Sequence, residues 1–284
     1  MPLSLTPRTA AAAGPLSIDL DGVVPDRLAS LSITDIAQLS VRADGRPYPL
    51  GDLFVVAGDA GDGGVVCHGD FSRVHWLAAG MQHGTMEVRG PVGRHAGEEM
   101  AGGSLVVAGD AGDWLAAGMT GGTVLVEGNA GDNAAASLPG SRAGVDGGLV
   151  VINGAAGCLA GARMRRGILA IGGSCGEAAA FEMLAGTVVV AGTVGPRPGL
   201  GMRRGSLIAL GVPPDVPPTF RRGAAWSPAF LPLLAGRLAA VGFRGAAPGA
   251  GHEGRARGFG GVWQQWHGDL LTGGRGEIFH LPSV

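Results

Sequence analysis

The sequence predicts an all-β chain: a parallel β-helix (solenoid) of about seven 19-residue coils with an N-terminal cap and a C-terminal extension. Three observations predict it. Glycine fills 55 of 284 positions, about a fifth of the chain where roughly 7% is usual, and without a collagen triplet. Glycine also recurs ahead of short apolar runs, at Gly84, Gly103, Gly122, Gly148, Gly167, Gly186 and Gly205, in steps of 19, 19, 26, 19, 19 and 19. Finally, six of the eight methionines stand three residues before these anchors, at Met81, Met100, Met119, Met164, Met183 and Met202, with Val145 in the remaining place. A unit this short, with one four-residue strand, closes no hydrophobic core alone and must stack on copies of itself.

Residues 1–50 read as the N-terminal cap region, because a stack of open coils exposes an unpaired edge. Within them "PDRLASL" and "TDIAQL" are short helical patterns begun by Pro25 and Thr34. Pro2 and the short alanine tract after Arg8 make a poor signal peptide.

Residues 51–212 read as the parallel β-helix. The strands after the anchors are "TMEV", "SLVV", "TVLV", "LVVI", "ILAI", "TVVV" and "SLIA". Positions two and four past the anchor, such as Val124, Val126, Val188 and Val190, alternate into the core. The methionines form an interior column, where a flexible thioether fills irregular space, rather than a metal site. Glycines six past the anchor (Gly90 to Gly211) and nine past it (Gly93 to Gly195) mark corners needing positive φ or close backbone approach. The long step holds seven extra residues near "SLPGSRAGVD" (137–146), a side loop of the kind that carries contacts.

Residues 213–284 read as a C-terminal extension packing on the solenoid or on a partner. The prolines of "GVPPDVPPTF" end the repeat. "AFLPLLAGRLAAVGF" reads as a helix broken at Pro232 and is too short to span a bilayer. "WHGDLLTGGRGEIFHL" reads as a strand or arm packed back on the solenoid.

Several function classes are disfavoured. The 21 basic residues are all arginine, so no phosphate loop with its lysine is present, and the glycine-rich stretches lack the strand-loop-helix of a dinucleotide site. A net charge of −2 argues against nucleic acid. The charge is polarised, however: residues 1–162 hold 8 arginines against 17 acidic residues, and 163–284 hold 13 against 6. Cys67, Cys158 and Cys175 have no CxxC spacing and fit reduced thiols in the cytoplasm. No metal ligands and no catalytic acid, base or nucleophile can be assigned.

Three side-chain groups remain. Trp76, His95 and Trp114 lie eight residues before successive anchors and should stack as an aromatic ladder. Asp110, Asp113 and Asp132, with Asn129, fall at a corner and read as solvated residues, too few for calcium. Arg163, Arg165 and Arg166 share a corner with Arg203 and Arg204 two coils on, about 10 Å away. Such a stripe suits a polycarboxylate or an acidic subunit, given arginine's forked donors. The alternative is a solvated basic face.

The series "AAGMQHGTMEVRGPVGRHAGEEMAGGSLVVAGDAGDWLAAGMTGGTVLVEGNAGD", the side loop "LPGSRAGVDGG", the opening "DLFVVAGDA" and the ending "GDLLTGGRGEI" resemble the C subunit of formylmethanofuran dehydrogenase. They resemble more closely that of its bacterial relative, the formyltransferase/hydrolase complex of methylotrophs. The resemblance implies a right-handed β-helix and a non-catalytic scaffold subunit in one-carbon metabolism. It also implies formyltransferase, hydrolase and B-type partner subunits, which convert formyl-tetrahydromethanopterin to formate through a methanofuran-type carrier. On this chain it implies no cofactor; in the complex it implies a polyglutamate-tailed carrier and a hydrolase zinc, with no membrane partner. Val145 departs from the family pattern, as does Asp146 after it. Complete replacement of lysine by arginine and the lack of an iron-sulfur cysteine run favour the bacterial branch over the C subunit of a molybdenum or tungsten dehydrogenase. The rival readings are a solenoid enzyme, such as an acyltransferase (whose coils run in six-residue steps) or a polysaccharide lyase, and an ammonia-channelling module like that of glutamate synthase.

Overall fold

In the computed structural model, which describes residues 1–8, 14–245 and 259–282, each apolar run after an anchor glycine is a strand, and the chain is all-β with few helices. The alanine tract after Arg8 and the glycine-rich run at 246–258 lie outside the described residues. The strands are β1 (Leu3–Pro7), β2 (Ile18–Asp19), β3 (Ser40–Ala43), β4 (Arg46–Pro49), β5 (Phe54–Ala57), β6 (Gly64–His68), β7 (Val74–His75), β8 (Thr85–Arg89), β9 (Ser104–Val107), β10 (Thr123–Val126), β11 (Asp146–Ile152), β12 (Arg166–Ile171), β13 (Thr187–Val190), β14 (Arg204–Ala209), β15 (Arg221–Trp226), β16 (Trp263–Gly268) and β17 (Arg275–His280). The helices are α1 (Pro25–Leu28), α2 (Ile33–Ala37), α3 (Leu50–Leu53) and α4 (Phe230–Ala240).

One sheet of 13 strands runs β15-β16-β17-β14-β13-β12-β11-β10-β9-β8-β6-β1-β5, parallel from β17 to β1 and antiparallel at both ends. Register follows the repeat, with Ser104 beside Thr123, Thr123 beside Leu149 and Ile168 beside Thr187. The seven extra residues between β10 and β11 therefore leave the ladder unbroken. A second file of single parallel bridges joins Phe71, Val92, Ala111, Ala130, Ala156, Cys175 and Val194, each eight residues past its anchor. That file begins one unit earlier than the sequence periodicity does. Gly63 (φ +69°) precedes β6 as an anchor, but its step to Gly84 is 21 residues and Ala60 takes the methionine's place, so a strict 19-residue period misses it. A small sheet, β4-β3-β2-β7, flanks this first unit.

The inward strand positions Leu105, Val107, Val124, Val126, Val188 and Val190, and all six in-register methionines, are fully buried. The outer face is covered over its C-terminal part. There Val151, Ala170, Val189 and Ile208 pack under Leu231, Leu234 and Leu238 of α4, with Phe243, Trp263 and Phe279. Helix α4 is continuous rather than broken, because Pro232 sits in its first turn, where no intrahelical N–H bond is lost. At the N-terminus α2 is capped by Ser32, whose hydroxyl accepts the Asp35 N–H.

The glycine columns divide by cause. The anchors need φ > 0, from +69° at Gly63 to +102° at Gly186. The glycines six and nine past the anchors from Gly84 onward do not; a Cβ there would strike the preceding unit's backbone, as at Gly90, 2.0 Å from the Gly69 oxygen. Non-glycine residues also adopt left-handed backbone in register. Trp76, His95, Trp114, Asn133, Leu159, Ala178 and Arg197, eight residues before their anchors or a multiple of the step from one that is, have φ between 55° and 62°. Each costs on the order of 1–2 kcal/mol, offset by hydrogen bonds to the next unit such as Trp76 N–H to Arg94 O at 3.0 Å.

Candidate functional site

The five arginines of the predicted stripe lie at one corner, but they fall into two groups. Arg163 pairs with Glu182, Nε and Nη2 each 2.7 Å from the same carboxylate oxygen. Arg165 and Arg166 both approach Asp146, at 3.3 and 3.8 Å. These exposed pairs tie a unit to its neighbour and contribute about 0–1 kcal/mol each. Arg203 and Arg204 are exposed and, among the described residues, within ion-pair distance of no carboxylate.

Two further cations extend this second group. Arg275 begins β17, whose parallel register on β14 sets it directly beside Arg204. Arg142, on the side loop, lines a cleft of about 460 Å³ with Arg163, Glu182, Leu184, Gly201, Arg203 and Thr272. The loop is pinned by Ser137 N–H to Ala162 O at 3.1 Å and Gly144 N–H to Arg163 O at 2.7 Å. The signal for Arg275 is in the sequence: "RGSLIAL" (204–210) and "RGEIFHL" (275–281) share one pattern, separated by 71 residues instead of 19. The sequence marks only the side loop that carries Arg142, not the residue itself.

The far wall of the cleft is a short 3-10 turn at Leu270–Thr272, held by the buried Asp269. Asp269 accepts from Leu271 N–H at 3.0 Å and Gly201 N–H at 3.1 Å, and the Thr272 hydroxyl donates to Met202 O at 2.7 Å. Leu270 and Leu271 project from this turn, 56% and 80% exposed.

The corner acids are more than solvated residues. Asp110 accepts the Asn129 N–H at 2.7 Å, Asn129 accepts from Ala155, Asp113 from Asp132, and Asp132 from Cys158. Side-chain oxygens thus continue the ladder where the backbone pairing lapses, a use that spacing alone does not disclose. The aromatic column stacks as expected, Trp76 on His95 at 4.7 Å and His95 on Trp114 at 6.1 Å between ring centroids, with the ring planes nearly parallel. His95 Nδ1 meets the Glu98 carboxylate. Burial pushes the Cys67 thiol up to about 12 and raises that of Cys175, so neither is a ready nucleophile. Among the described residues no group of three His, Cys, Asp or Glu is placed to hold a metal, and no helix is long and apolar enough to cross a membrane.

His75 gives the chain an acid-sensitive point. Its Nδ1 accepts the Arg94 N–H at 3.0 Å, and burial, reinforced by the Arg94 charge, lowers its pKa below the ordinary 6.5. The unfolded state then binds the proton first, so the neutral imidazole's contribution is complete above about pH 6.5 and is lost as pH falls toward the depressed folded value. Urea unfolding should show stability falling between pH 7 and 5, with a shallower fall in His75→Asn, whose amide oxygen can replace Nδ1 as acceptor. Parallel slopes for the two proteins would assign the loss elsewhere.

No family model matches the chain. It is similar over 99% of its length to a chain of the X-ray crystal structure of the formyltransferase/hydrolase complex (FhcABCD) from Methylorubrum extorquens in complex with methylofuran, at 38% identity, covering 100% of that chain with a TM-score of 0.88. It is also 32% identical over 84 residues to the C subunit of molybdenum-containing formylmethanofuran dehydrogenase 1 from Methanosarcina barkeri, a match spanning 28% of each protein.

Proposed function

From the premise that this chain belongs to the C-subunit family of formyltransferase/hydrolase and formylmethanofuran dehydrogenase complexes, we propose that it is the scaffold subunit of a formyltransferase/hydrolase complex. The observation that carries this reading is the end-to-end likeness, at 38% identity, to a chain of such a complex. The scaffold holds formyltransferase, hydrolase and B-type subunits around a methanofuran-type carrier and supplies no reacting group. Its architecture is read as a right-handed parallel β-helix over 51–212, with 1–50 as cap and 213–284 as extension. The parallel register at 19-residue steps and the second file of bridges support that reading. So does the use of corner acids to bind neighbouring units.

The arginine corner receives a polyanion, either the carrier's polyglutamate tail or an acidic subunit surface. Arg203, with no carboxylate beside it, contributes more than Arg165, which Asp146 partly neutralises. Charge reversal should therefore weaken complex assembly or raise the carrier Michaelis constant about tenfold more at Arg203 than at Arg165. Both quantities unaltered in both variants would remove the corner from the function.

Co-purification of the tagged chain from its host should recover the three partner subunits. A lone monomer would sink the scaffold reading. Recovery with molybdenum or tungsten and iron-sulfur subunits would move the chain to the dehydrogenase branch, to whose C subunit it is similar over 84 residues.

A further inference from the structure

We infer that the Leu270–Leu271 turn and the arginines beside it, Arg203, Arg204 and Arg275, form one docking surface for an acidic protein subunit, not for the carrier tail. This deepens the scaffold reading and rests on it. Three observations converge on the surface.

The first is an apolar knob that the fold holds still. Two adjacent leucines at 56% and 80% exposure sit at the tip of a turn that a polar sequence would serve as well. The turn does not move freely: Asp269, 1% exposed, accepts two backbone N–H groups, its own N–H bonds Met202 O at 3.0 Å, and Leu270 N–H bonds Thr219 O at 3.1 Å. An exposed apolar pair on a backbone held in this way is pre-organised for burial, since little loop entropy remains to be lost on binding.

The second is an uncompensated column of like charge. Arg204 and Arg275 are neighbours across a parallel strand pair, an arrangement that opposes folding of the isolated chain. Arg203 stands beside them, and none has a carboxylate partner among the described residues. Water and salt screen these exposed charges in part, and an anionic surface laid over the column would relieve the remaining repulsion.

The third is adjacency. Thr272, the last residue of the turn, and Arg203 line the same cleft, so the base of the knob and the first of these arginines border one opening. An apolar centre with a charged rim is the anatomy of a protein interface, and a polyglutamate chain offers nothing to bury two leucines. The occupant is a subunit with an apolar pocket ringed by carboxylates.

The test uses the assembled complex, co-produced with its partner subunits. Leu271→Asp, at a position almost wholly in solvent, should leave the chain's own unfolding temperature unchanged and lower the yield of intact complex at least about tenfold. Arg275→Glu should act in opposite directions, raising the isolated chain's unfolding temperature by relieving Arg204 while weakening assembly. A merely structural role would move both readouts down together. In the wild type, amide hydrogens of 269–275 should exchange more slowly in the complex than in the free chain, a measurement that needs no variant. Unchanged assembly in both variants, or unprotected amides, would overturn the proposal. So would binding of an oligoglutamate peptide that protects 269–275 while Leu271→Asp assembles normally, which would give the face to the carrier tail. Self-association of the free chain abolished by Leu271→Asp would give it to a second copy. If the wild-type chain joins no partner subunit at all, the scaffold reading itself fails, an outcome distinct from all of these.

Discussion

Replacing Gly192 by alanine should destabilise the chain by about 3 kcal/mol or more, while the same substitution at Gly236 should stabilise it by about 0.5–1 kcal/mol. A Cβ on Gly192 would lie 2.6 Å from the Gly173 carbonyl carbon, 2.6 Å from Ser174 N and 2.7 Å from Gly173 O, all backbone atoms of the preceding unit. That backbone cannot retreat, because Gly192 N–H bonds Gly173 O at 2.9 Å and Gly173 is bonded in turn to Gly154. A clash at one unit therefore pushes on a file of units. Gly236 lies exposed in the interior of α4 with nothing within 4 Å of a built Cβ, so the methyl group only removes unfolded-state freedom. Thermal unfolding of the two variants should move in opposite directions. A mild effect at Gly192 would mean that the units are not in the close contact described.

This pair also explains why the fold was legible. A sequence that stacks like on like must meet the same steric limit in every unit, so glycine, the residue that satisfies it, repeats with the geometric period. The features that escaped are those that different residue types can satisfy. The left-handed column holds Trp76, Asn133, Leu159 and Arg197 alike, because hydrogen bonding to the next unit, not intrinsic preference, imposes that backbone. The Gly63 unit escaped through its two additional residues, and the continuity of α4 through Pro232 depended on where the helix starts, which α-helical periodicity does not fix.

At the arginine corner, position was legible and pairing only partly so. The 19-residue step places Glu182 in the column of Arg163, and the two side chains do meet. Asp146 serves two arginines because the side loop ends on it, which depends on how an irregular loop returns. Arg275 and Arg142 come from outside the periodic region, one on a strand that adds to the sheet after a long detour and one on the loop. A column argument reaches only residues that obey the period.

The second large effect is expected in the methionine column. Met183→Ala should cost about 2–5 kcal/mol, the usual range for emptying a fully buried site of this size, and Met183→Leu under about 1.5 kcal/mol. The column does more than fill space. A Cβ built on Gly205 would lie 2.7 Å from the Met183 ε-methyl, one on Gly148 2.6 Å from that of Met119, and one on Gly103 3.0 Å from that of Met81. Each of these thioethers therefore reaches under the next unit into the volume that its anchor glycine leaves free. A flexible, unbranched side chain spans that distance readily. The other anchors are met differently: the atoms nearest a Cβ on Gly122, Gly167 or Gly186 are backbone atoms of the preceding unit, whether that unit carries a methionine (Met100, Met164) or Val145. At Gly103, Gly148 and Gly205 the anchor glycine and the preceding methionine therefore share one space between successive units, and at every anchor from Gly84 onward the close approach of the preceding unit's backbone keeps the glycine. Equal losses for Met183→Leu and Met183→Ala, read by chemical denaturation, would instead assign the column a role that depends on sulfur.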